Sequence, residues 1–195
     1  VPKSLLERSD VFAKVYKEGM TRKEAKSVGV VQMSSILGSV APKPHMRRPY
    51  PTISSVHRDN KAQTFIKAMW GACVEAEQII KKLTPHIYEK QVELFEDIKK
   101  DWRFGNIYTS SISNFNIAAP FHRDTGNIVG TVNTILTKRN NANGGCLNVP
   151  DYNVTFEHGD NSMLVYPAWK NIHGVTPIIT NDNSGYRNSL IFYPL

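Results

Sequence analysis

Hydrophobic positions near the start of the chain recur at three- to four-residue intervals, which is the spacing of an amphipathic helix. The pattern is clearest over Leu5–Tyr16, and the TRKE sequence at Thr21–Glu24 has the form of a capping box that opens a second short helix. Four prolines between Pro42 and Pro51 then prevent a helix, because proline lacks the N–H that a helix interior requires. We predict two short helices followed by an extended basic loop.

A second helical pattern follows this loop. Apolar residues at helical spacing run from Phe65 to Leu83, and they predict a long amphipathic helix. Thr84-Pro85 supplies an N-cap and a first-turn proline for a further helix that ends near Lys100. We therefore predict that residues 1–104 form a basic, mainly helical N-terminal region.

The pattern changes after Trp102, where short runs rich in β-forming residues are separated by Asn, Gly, Asp and Pro. These runs are NIYTSSISNF, IVGTVNTILT, GCLNV, NVTFE, SMLVYP, IHGVTPII and RNSLIFYP. Seven or eight strands with no helical pattern between them are typical of a jelly-roll, or double-stranded β-helix, barrel. The predicted fold class is α+β: a barrel over residues 105–195 with the helical half packed on it, forming one compact domain.

Composition indicates a globular protein, with 41% hydrophobic and 21% charged residues in a chain of 195. No apolar run approaches the roughly 20 residues that span a bilayer, and the start, VPKSLLERSDVF, is too charged for a signal peptide. Cys73 and Cys146 form no C-x-x-C pair, which fits a reducing compartment. We expect a soluble, intracellular monomer without a membrane partner, in a bacterial or phage-infected cytoplasm or in a nucleus.

Positive charge is concentrated near the N-terminus. Residues 1–60 contain 11 Lys or Arg against 5 Asp or Glu, whereas residues 105–195 contain 5 of each. Such an excess suits a surface that binds a polyanion, and a solvated basic face explains it equally well. Within the basic loop, Lys43, Arg47 and Arg48 are candidates for phosphate contacts and Tyr50 for base stacking; the alternative is a proline-rich strap that packs the helices onto the barrel.

The triplet His-Arg-Asp occurs twice, at His57–Asp59 and at His122–Asp124. The first copy precedes the long helix, where Asp59 or Asn60 is a candidate N-cap, and no second histidine follows it in a β context. We predict a structural role for the first copy, with His57 beside the site as a substrate contact as the alternative. The second copy lies between two predicted strands.

Downstream of the second copy, His173 lies in a strand-like run and Arg187 opens the final strand. Two imidazoles and one carboxylate on neighbouring barrel strands form a facial triad, which suits Fe(II) because three coordination positions stay open. A keto acid bound to the iron has a distal carboxylate, and the Arg187 guanidinium can bind it through two hydrogen bonds. Ser189 lies two residues along the same strand and faces the same side.

The series His122-x-Asp124, His173 and Arg187-x-Ser189 resembles the iron- and 2-oxoglutarate-dependent dioxygenases. Over Asn106–Leu195 the chain looks most like the TET and J-binding-protein branch, which hydroxylates the methyl group of 5-methylpyrimidines in DNA. Further points of similarity are the NGGCLNVPDY and EHGDNSMLVYP segments, an asparagine three residues after the aspartate, and an aromatic residue six after the arginine; the last two are Asn127 and Tyr193.

This resemblance implies Fe(II), 2-oxoglutarate and O₂ as cofactors. The implied iron ligands and catalytic residues are His122, Asp124 and His173, and the implied 2-oxoglutarate contacts are Arg187 and Ser189. The partner is DNA that presents a flipped or single-stranded base, with 5-methylcytosine favoured over thymine. The candidate substrate contacts are Asn127, Tyr193, Arg47, Arg48 and Asn114; for Asn114 and its neighbour Asn116, ordinary turn asparagines are the alternative.

Two features of family members are not matched. Family members have a further histidine just beyond the position of Leu195, and animal members have a cysteine-rich zinc-binding region. We therefore expect a compact bacterial, phage or protist type. Two other functions stay open: a 2-oxoglutarate-dependent hydroxylase of a protein side chain or small metabolite, and a non-catalytic DNA-binding module.

Overall fold

The computed structural model describes residues 33–42, 49–182 and 184–195. Helix α1 spans Gln63–Leu83 and helix α2 spans Pro85–Leu94, with short 3₁₀ turns at Asn60–Ala62, Lys100–Trp102 and Pro150–Tyr152. The described strands are β1 Met33–Val40, β2 Thr52–Ile53, β3 Ser110–Phe115, β4 Ala119–His122, β5 Asn133–Asn140, β6 Ala142–Gly144, β7 Leu147–Val149, β8 Val154–Phe156, β9 Ser162–Tyr166, β10 His173–Val175, β11 Ile178–Thr180 and β12 Tyr186–Tyr193.

The strands form two main antiparallel sheets and one small pair. The larger sheet has the order β2-β1-β3-β12-β5-β9, the smaller has the order β4-β10-β7-β8, and β6 pairs with β11. A buried cluster joins the inner faces of the two main sheets, with Ile135 and Ile191 from the larger sheet against Leu147 and Val175 from the smaller. The sheets therefore pack against each other through apolar side chains.

The helices cover the outer face of the larger sheet. Met69, Cys73 and Ile80 of α1 are almost fully buried in a cluster that also contains Leu37 of β1 and Phe192 of β12. Along β12, successive side chains alternate between this cluster and the space between the sheets, as the two-residue period of a strand requires. The predicted packing of helices on a β-rich half is confirmed for the described residues.

Strand β1 corrects the prediction that the first hundred residues are helical. Met33–Val40 pairs with β3 from Met33↔Phe115 to Gly38↔Ser110. This strand therefore lies within the region predicted to be helical, residues 1–104, and its partner lies in the β-rich region that follows. The strand was missed because its hydrogen bonds come from a partner more than seventy residues away. Gly38 has a φ of +76°, and a side chain there would collide with the Thr109 carbonyl.

Helix α2 ends at Leu94 rather than near Lys100, because Phe95 leaves the helical ladder and Arg103 caps the carbonyls beyond it with its guanidinium. The predicted helices before residue 33, and Lys43, Arg47 and Arg48 of the basic loop, lie outside the described residues. Both cysteines are free thiols. Among the described helices, none combines the length and the apolar character that crossing a bilayer needs.

Candidate active site

Three side chains converge between the two main sheets. His122, Asp124 and His173 each offer one ligand atom, and these atoms all lie within 4.8 Å of one another. The Asp124 Oδ1 atom is 3.3 Å from the His122 Nε2 atom and 3.9 Å from the His173 Nε2 atom. The second His-Arg-Asp triplet and the distal histidine are therefore brought together as the sequence predicts.

Strand pairing explains how residues so distant in sequence meet. His173 of β10 lies directly opposite His122 of β4 in the antiparallel ladder, and their ring centroids are 4.3 Å apart. The register shifts between this pair and the next one, Val175↔Ala119, because β4 carries one extra residue there. Such a bulge changes the direction of the side chains that follow it.

Backbone carbonyls fix the orientation of both imidazoles. The His122 Nδ1 atom donates to the Pro120 carbonyl at 2.8 Å, and the His173 Nδ1 atom donates to the Asn171 carbonyl at 3.0 Å. A carbonyl can only accept, so in the neutral imidazoles both Nε2 atoms carry the lone pair, and both face Asp124. The protonated His122 imidazole can donate from Nε2–H to Asp124, which raises the pKa of His122, whereas burial lowers the pKa of His173.

Two asparagines hold the carboxylate of Asp124 from its other side. The Asn133 Nδ2 atom donates to Asp124 Oδ2 at 2.9 Å, and the Asn127 Nδ2 atom donates to Asn133 Oδ1 at 2.7 Å. Asn133 is fully buried and Asn127 is 7% exposed. Asp124 therefore presents Oδ1 to the histidines while Oδ2 is occupied by an amide.

This donor set fits a divalent iron ion. Neighbouring ligands of an octahedral ion with bonds of about 2.1 Å lie about 3 Å apart. The two separations between Asp124 and the imidazoles, 3.3 and 3.9 Å, are somewhat longer, so the side chains would draw together around a bound ion. Two neutral imidazoles and one carboxylate oxygen are the ligands of non-haem Fe(II) sites, and they occupy only one face of the ion. The opposite face opens on a cavity.

Arg187 and Ser189 line the same cavity. Both are buried, at 2% and 4% exposure, and the Arg187 Nη1 atom donates to Ser189 Oγ at 3.0 Å. The Nε atom of Arg187 is buried and has no hydrogen-bond partner among the described residues. Burial, together with the charge of Arg139, lowers the pKa of Arg187 to about 10. A buried guanidinium with an unused donor is suited to an anionic ligand.

The double glycine of the NGGCLNV segment makes room for this arginine. Gly145 has a φ of +65°, and a Cβ atom at this position would collide with Cδ of Arg187. Only glycine combines that backbone conformation with so close an approach. The neighbouring Gly144 also has positive φ and packs against the Pro177 carbonyl.

The cavity has a volume of about 480 Å³. Besides the triad and Arg187, its polar lining includes Ser189, Asn114 and Asn127, and most of the remaining wall is apolar. Its hydrophobic walls come from both main sheets: Ile36, Ile112, Ile135, Leu147, Val175 and Ile191. The volume is in the range of small-molecule sites in proteins. Such walls keep bulk water away from His173 and Arg187, whereas the His122 side chain is 42% exposed.

The structure brings some of the predicted substrate contacts to this cavity but not others. Asn114, Asn127 and Tyr193 line it, and burial, with the nearby charge of Asp124, raises the pKa of Tyr193 to about 12. Asn116 is not among the lining residues; its backbone is left-handed and its side chain accepts a hydrogen bond from the Arg187 backbone N–H. Arg47 and Arg48 lie outside the described residues.

The first His-Arg-Asp triplet lies away from the cavity. The His57 Nδ1 atom accepts a hydrogen bond from the Gly38 backbone N–H at 3.0 Å, and its ring meets the edge of Phe104 in the helix-side cluster. The Asp59 side chain caps the 3₁₀ turn at Asn60–Ala62 by accepting from the Lys61 N–H at 2.9 Å. The triplet therefore has a structural role, but Asp59 caps this turn rather than the long helix as predicted, because the N-cap of α1 is Ala62. His57 does not line the cavity.

Three residues of the site were missed from the sequence. Asn133 binds Asp124, Tyr166 lines the cavity with its ring edge-on to His173 at 5.2 Å, and His158 is 3% exposed. Burial and the charges of Arg187 and Arg139 lower the pKa of His158 to about 4. The alternation of side chains along β9 could have indicated that Tyr166 faces the cavity. No local sequence pattern indicated the positions of Asn133 and His158.

Comparisons with known proteins agree with this geometry. The family described as "Oxygenase domain of the 2OGFeDO superfamily" (Tet_JBP) matches residues 41–194. The search of curated proteins gives no match. Among solved structures, the chain is similar to NgTET1 in complex with 5mC DNA, with a TM-score of 0.62 at 17% identity, covering 100% of this chain and 69% of that one.

Two further solved structures are similar at a lower level. One is an oxidoreductase of the 2OG-Fe(II) oxygenase family from Burkholderia pseudomallei, with a TM-score of 0.41, 12% identity, and 95% of this chain and 88% of that chain covered. The other is a bsmA homolog from Methylobium petroleophilum PM1, with a TM-score of 0.40, 12% identity, and 97% and 82% covered.

Proposed function

Because the chain belongs to the Tet_JBP family of oxygenase domains in the 2OGFeDO superfamily, we propose that it hydroxylates the methyl group of a 5-methylpyrimidine in DNA. The cofactors of this superfamily are Fe(II), 2-oxoglutarate and O₂, and the described residues include a His-Asp-His group suited to the metal. In this proposal the two main sheets are the two faces of a double-stranded β-helix. Residues 105–195 provide the catalytic core, and the N-terminal region packs on it within one compact, monomeric domain.

One observation carries the cofactor assignment within the site. Arg187 is buried in the cavity that holds the triad, and its Nε donor has no partner among the described residues. A dicarboxylate that chelates the metal through its keto-acid end has a second carboxylate, which needs a fixed cation. Arg187 supplies that cation, and Ser189 holds the guanidinium and adds a hydroxyl.

The roles of the protein side chains follow from their positions. When bound, Fe(II) and 2-oxoglutarate supply the activation of O₂, with 2-oxoglutarate converted to succinate and CO₂. His122, Asp124 and His173 would hold the metal through three ligand atoms, which would leave positions for 2-oxoglutarate and O₂. The apolar walls limit the access of water to the buried part of the cavity, and Asn127 and Tyr193 would orient the base beside the metal.

A base inside a duplex cannot reach this cavity, so the target must be flipped out or single-stranded. The fold shared with NgTET1, whose solved structure contains 5mC DNA, supports a nucleic-acid substrate. Arg47 and Arg48 follow Ala41 by six and seven residues in the sequence, and Ala41 lines the cavity. We propose that these arginines contact phosphates near the flipped base.

A shallow surface beside the cavity adds a second candidate contact with the strand. Arg123 lines both the cavity and this surface, where Tyr152, Trp169 and Lys170 accompany it. Tyr152 is 59% exposed and the Trp169 indole is held by the Thr131 carbonyl at 2.9 Å. Exposed cations beside aromatic rings are the groups that bind phosphates and stack on bases.

The proposal is tested by analysing the nucleosides of treated DNA. Matched oligonucleotides that carry 5-methylcytosine or thymine at one position are incubated with protein, Fe(II), 2-oxoglutarate and O₂, digested, and examined by mass spectrometry. We expect one added oxygen on 5-methylcytosine, which is favoured, or on thymine. The reaction should fail without 2-oxoglutarate and in His122→Ala.

Two outcomes would contradict this function. Turnover of 2-oxoglutarate with a peptide or metabolite, while neither base gains oxygen, would indicate a hydroxylase of another substrate class. Absence of the visible charge-transfer band upon anaerobic addition of Fe(II) and 2-oxoglutarate would indicate a non-catalytic module.

A further inference from the structure

The Asp124 carboxylate, Asn133 and Asn127 form a continuous chain of hydrogen bonds from the metal site to the cavity wall. Asn133 Nδ2 donates to Asp124 Oδ2 at 2.9 Å, and Asn127 Nδ2 donates to Asn133 Oδ1 at 2.7 Å. Asn133 has no solvent-exposed surface, so water cannot substitute for either bond. This chain is not part of the ligand set described above.

The direction of every bond in the chain follows from one fact, that an ionised carboxylate can only accept. Asn133 must therefore turn its NH₂ group to Asp124, and its carbonyl oxygen then faces Asn127. Asn127 must in turn donate with its own NH₂ group. The Asn127 Oδ1 atom is not used in this chain of hydrogen bonds, and Asn127 lines the cavity.

The same chain also determines how Asp124 binds a metal. With Oδ2 occupied by Asn133, only Oδ1 points to the two histidine Nε2 atoms, at 3.3 and 3.9 Å. One-oxygen ligation uses one coordination position, whereas a carboxylate that rotates freely is able to use two. Hydrogen-bond partners of this kind hold the metal-binding side chains in the geometry that the metal requires.

We propose that Asn133 is a positioning residue with two linked effects. It holds Asp124 as a one-oxygen ligand, and it fixes the polarity of Asn127 so that a carbonyl oxygen faces the substrate. A carbonyl oxygen pairs with a hydrogen-bond donor: 5-methylcytosine offers its exocyclic amino group at that edge, whereas thymine offers an acceptor. The second effect rests on the proposed function, and it selects 5-methylcytosine over thymine.

The first effect is tested with Mn(II), which requires neither DNA nor O₂. Binding to the metal-free protein is measured from the loss of the free-ion paramagnetic resonance signal. Asn133→Val, a β-branched replacement that suits the first position of β5, should bind Mn(II) about 10- to 100-fold more weakly than the wild type. Asn133→Ala is the second variant, and thermal unfolding of the metal-free proteins identifies any variant that has lost its fold.

The matched control is Asn148→Val, because Asn148 is also a buried strand asparagine. Its side chain donates to Thr155 on the neighbouring strand and it is not among the cavity-lining residues. Mn(II) affinity should be unchanged in this variant. Equal affinity in the wild type and in a folded Asn133 variant would overturn the positioning role.

The second effect is tested with oligonucleotides that differ only in carrying 5-methylcytosine or thymine. The wild type should favour 5-methylcytosine in kcat/KM by roughly tenfold or more. In Asn133→Val and in Asn127→Ala the ratio of kcat/KM for 5-methylcytosine to that for thymine should fall towards one. Asn127→Ala should lose less Mn(II) affinity than Asn133→Val. A ratio that stays at the wild-type value in both variants would overturn the polarity argument, as would a wild type that favours thymine.

Failure of the proposed function gives a different result. If the wild type binds Mn(II) and turns over 2-oxoglutarate but oxidises neither base, the proposed substrate is wrong and the selection of 5-methylcytosine falls with it. The Mn(II) measurement still decides whether Asn133 positions Asp124.

Discussion

The chain contains the triplet His-Arg-Asp twice, and the two copies have different surroundings. In the first, His57 accepts from the Gly38 N–H and Asp59 caps a 3₁₀ turn on the helix side of the larger sheet. In the second, His122 and Asp124 face the space between the sheets, where His173 joins them. The same three residue types therefore form hydrogen bonds with the backbone in one place and part of a candidate metal centre in the other.

The difference between the copies comes from strand pairing. His122 has an imidazole directly opposite it in the antiparallel ladder, whereas the neighbours of His57 are a glycine backbone and a phenyl ring. A ligand set requires several side chains within a few ångströms, and no single triplet can supply it. Only the second copy is combined with a third ligand and with Arg187.

The largest expected effect separates the two histidines. His122→Ala removes a ligand and should lower metal affinity by more than the roughly 10- to 100-fold that loss of an outer partner costs, and 2-oxoglutarate turnover should cease. His57→Ala should leave metal binding unchanged, because His57 is not near the triad. Both are measured by the anaerobic charge-transfer band and by succinate production. Equal loss in the two variants would contradict the distinction.

The next effect concerns Arg187, which only the second triplet has beside it. Arg187→Lys keeps the charge but loses the two-pronged geometry, so KM for 2-oxoglutarate should rise by roughly ten- to a hundredfold, equivalent to about 1.5–3 kcal/mol. Gly145→Ala should raise the same KM by displacing the arginine. Arg58→Lys is the control in the first triplet, and a similar rise there would indicate a general effect of charge.

Arg58 and Arg123 are the central residues of the two triplets, and both are exposed, so they form a matched pair for a smaller effect on DNA binding. Arg123→Ala should weaken DNA binding several-fold and reduce the salt slope of binding by about 0.7 to 0.9, the contribution of one phosphate contact. Arg58→Ala should change neither quantity. Fluorescence anisotropy at several salt concentrations measures both, and equal effects would remove Arg123 from the proposed DNA surface.

The aspartate of the first triplet should matter for stability alone. Asp59→Ala removes a capping acceptor and should lower the free energy of unfolding by about 1 kcal/mol, measured by urea denaturation of the metal-free protein. Mn(II) affinity should stay at the wild-type value, whereas Asp124→Ala should lose it. Reduced Mn(II) affinity in Asp59→Ala would contradict a purely structural cap.

The smallest expected effect is a pH dependence at His57. Burial lowers the pKa of His57, and its Nδ1 atom must be unprotonated to accept the Gly38 N–H. The unfolded chain therefore binds a proton at higher pH than the folded one, so this contribution to stability is lost as pH falls below about 6.5. His57→Asn keeps an acceptor that does not titrate, and its unfolding free energy should fall less between pH 7 and 5. A parallel decline would show that His57 does not titrate differently upon folding.

The sequence revealed much of this architecture because local patterns reported it. The long helix at Gln63–Leu83 showed its helical period, and β12 showed the spacing of Arg187 and Ser189. The second triplet was singled out because it lies between two predicted strands, and His173 because it lies in a strand-like run. Asn127 and Tyr193 were placed by family resemblance, and both line the cavity.

Features that depend on distant partners were not predictable in this way. Strand β1 has small and polar residues beside apolar ones, and its ladders with β3 and β2 make it a strand. Asn133 looked like one asparagine among many, because its bond to Asp124 depends on a turn nine residues away. His158 contacts Thr137, and Asn116 accepts from the Arg187 backbone N–H, so both depend on residues that lie far away in the sequence.

The extra residue in β4 has a consequence for how this strand is held in place. Positions three apart in an uninterrupted strand point to opposite faces, yet Ala119 and His122 both line the cavity. The bulge therefore reverses the alternation of side chains along β4: the face at Ala119 is set by pairing with Val175, and the face at His122 by pairing with His173. A slip by one residue would bring Phe121 opposite His173, and a metal ion shared by the two histidines would oppose that slip.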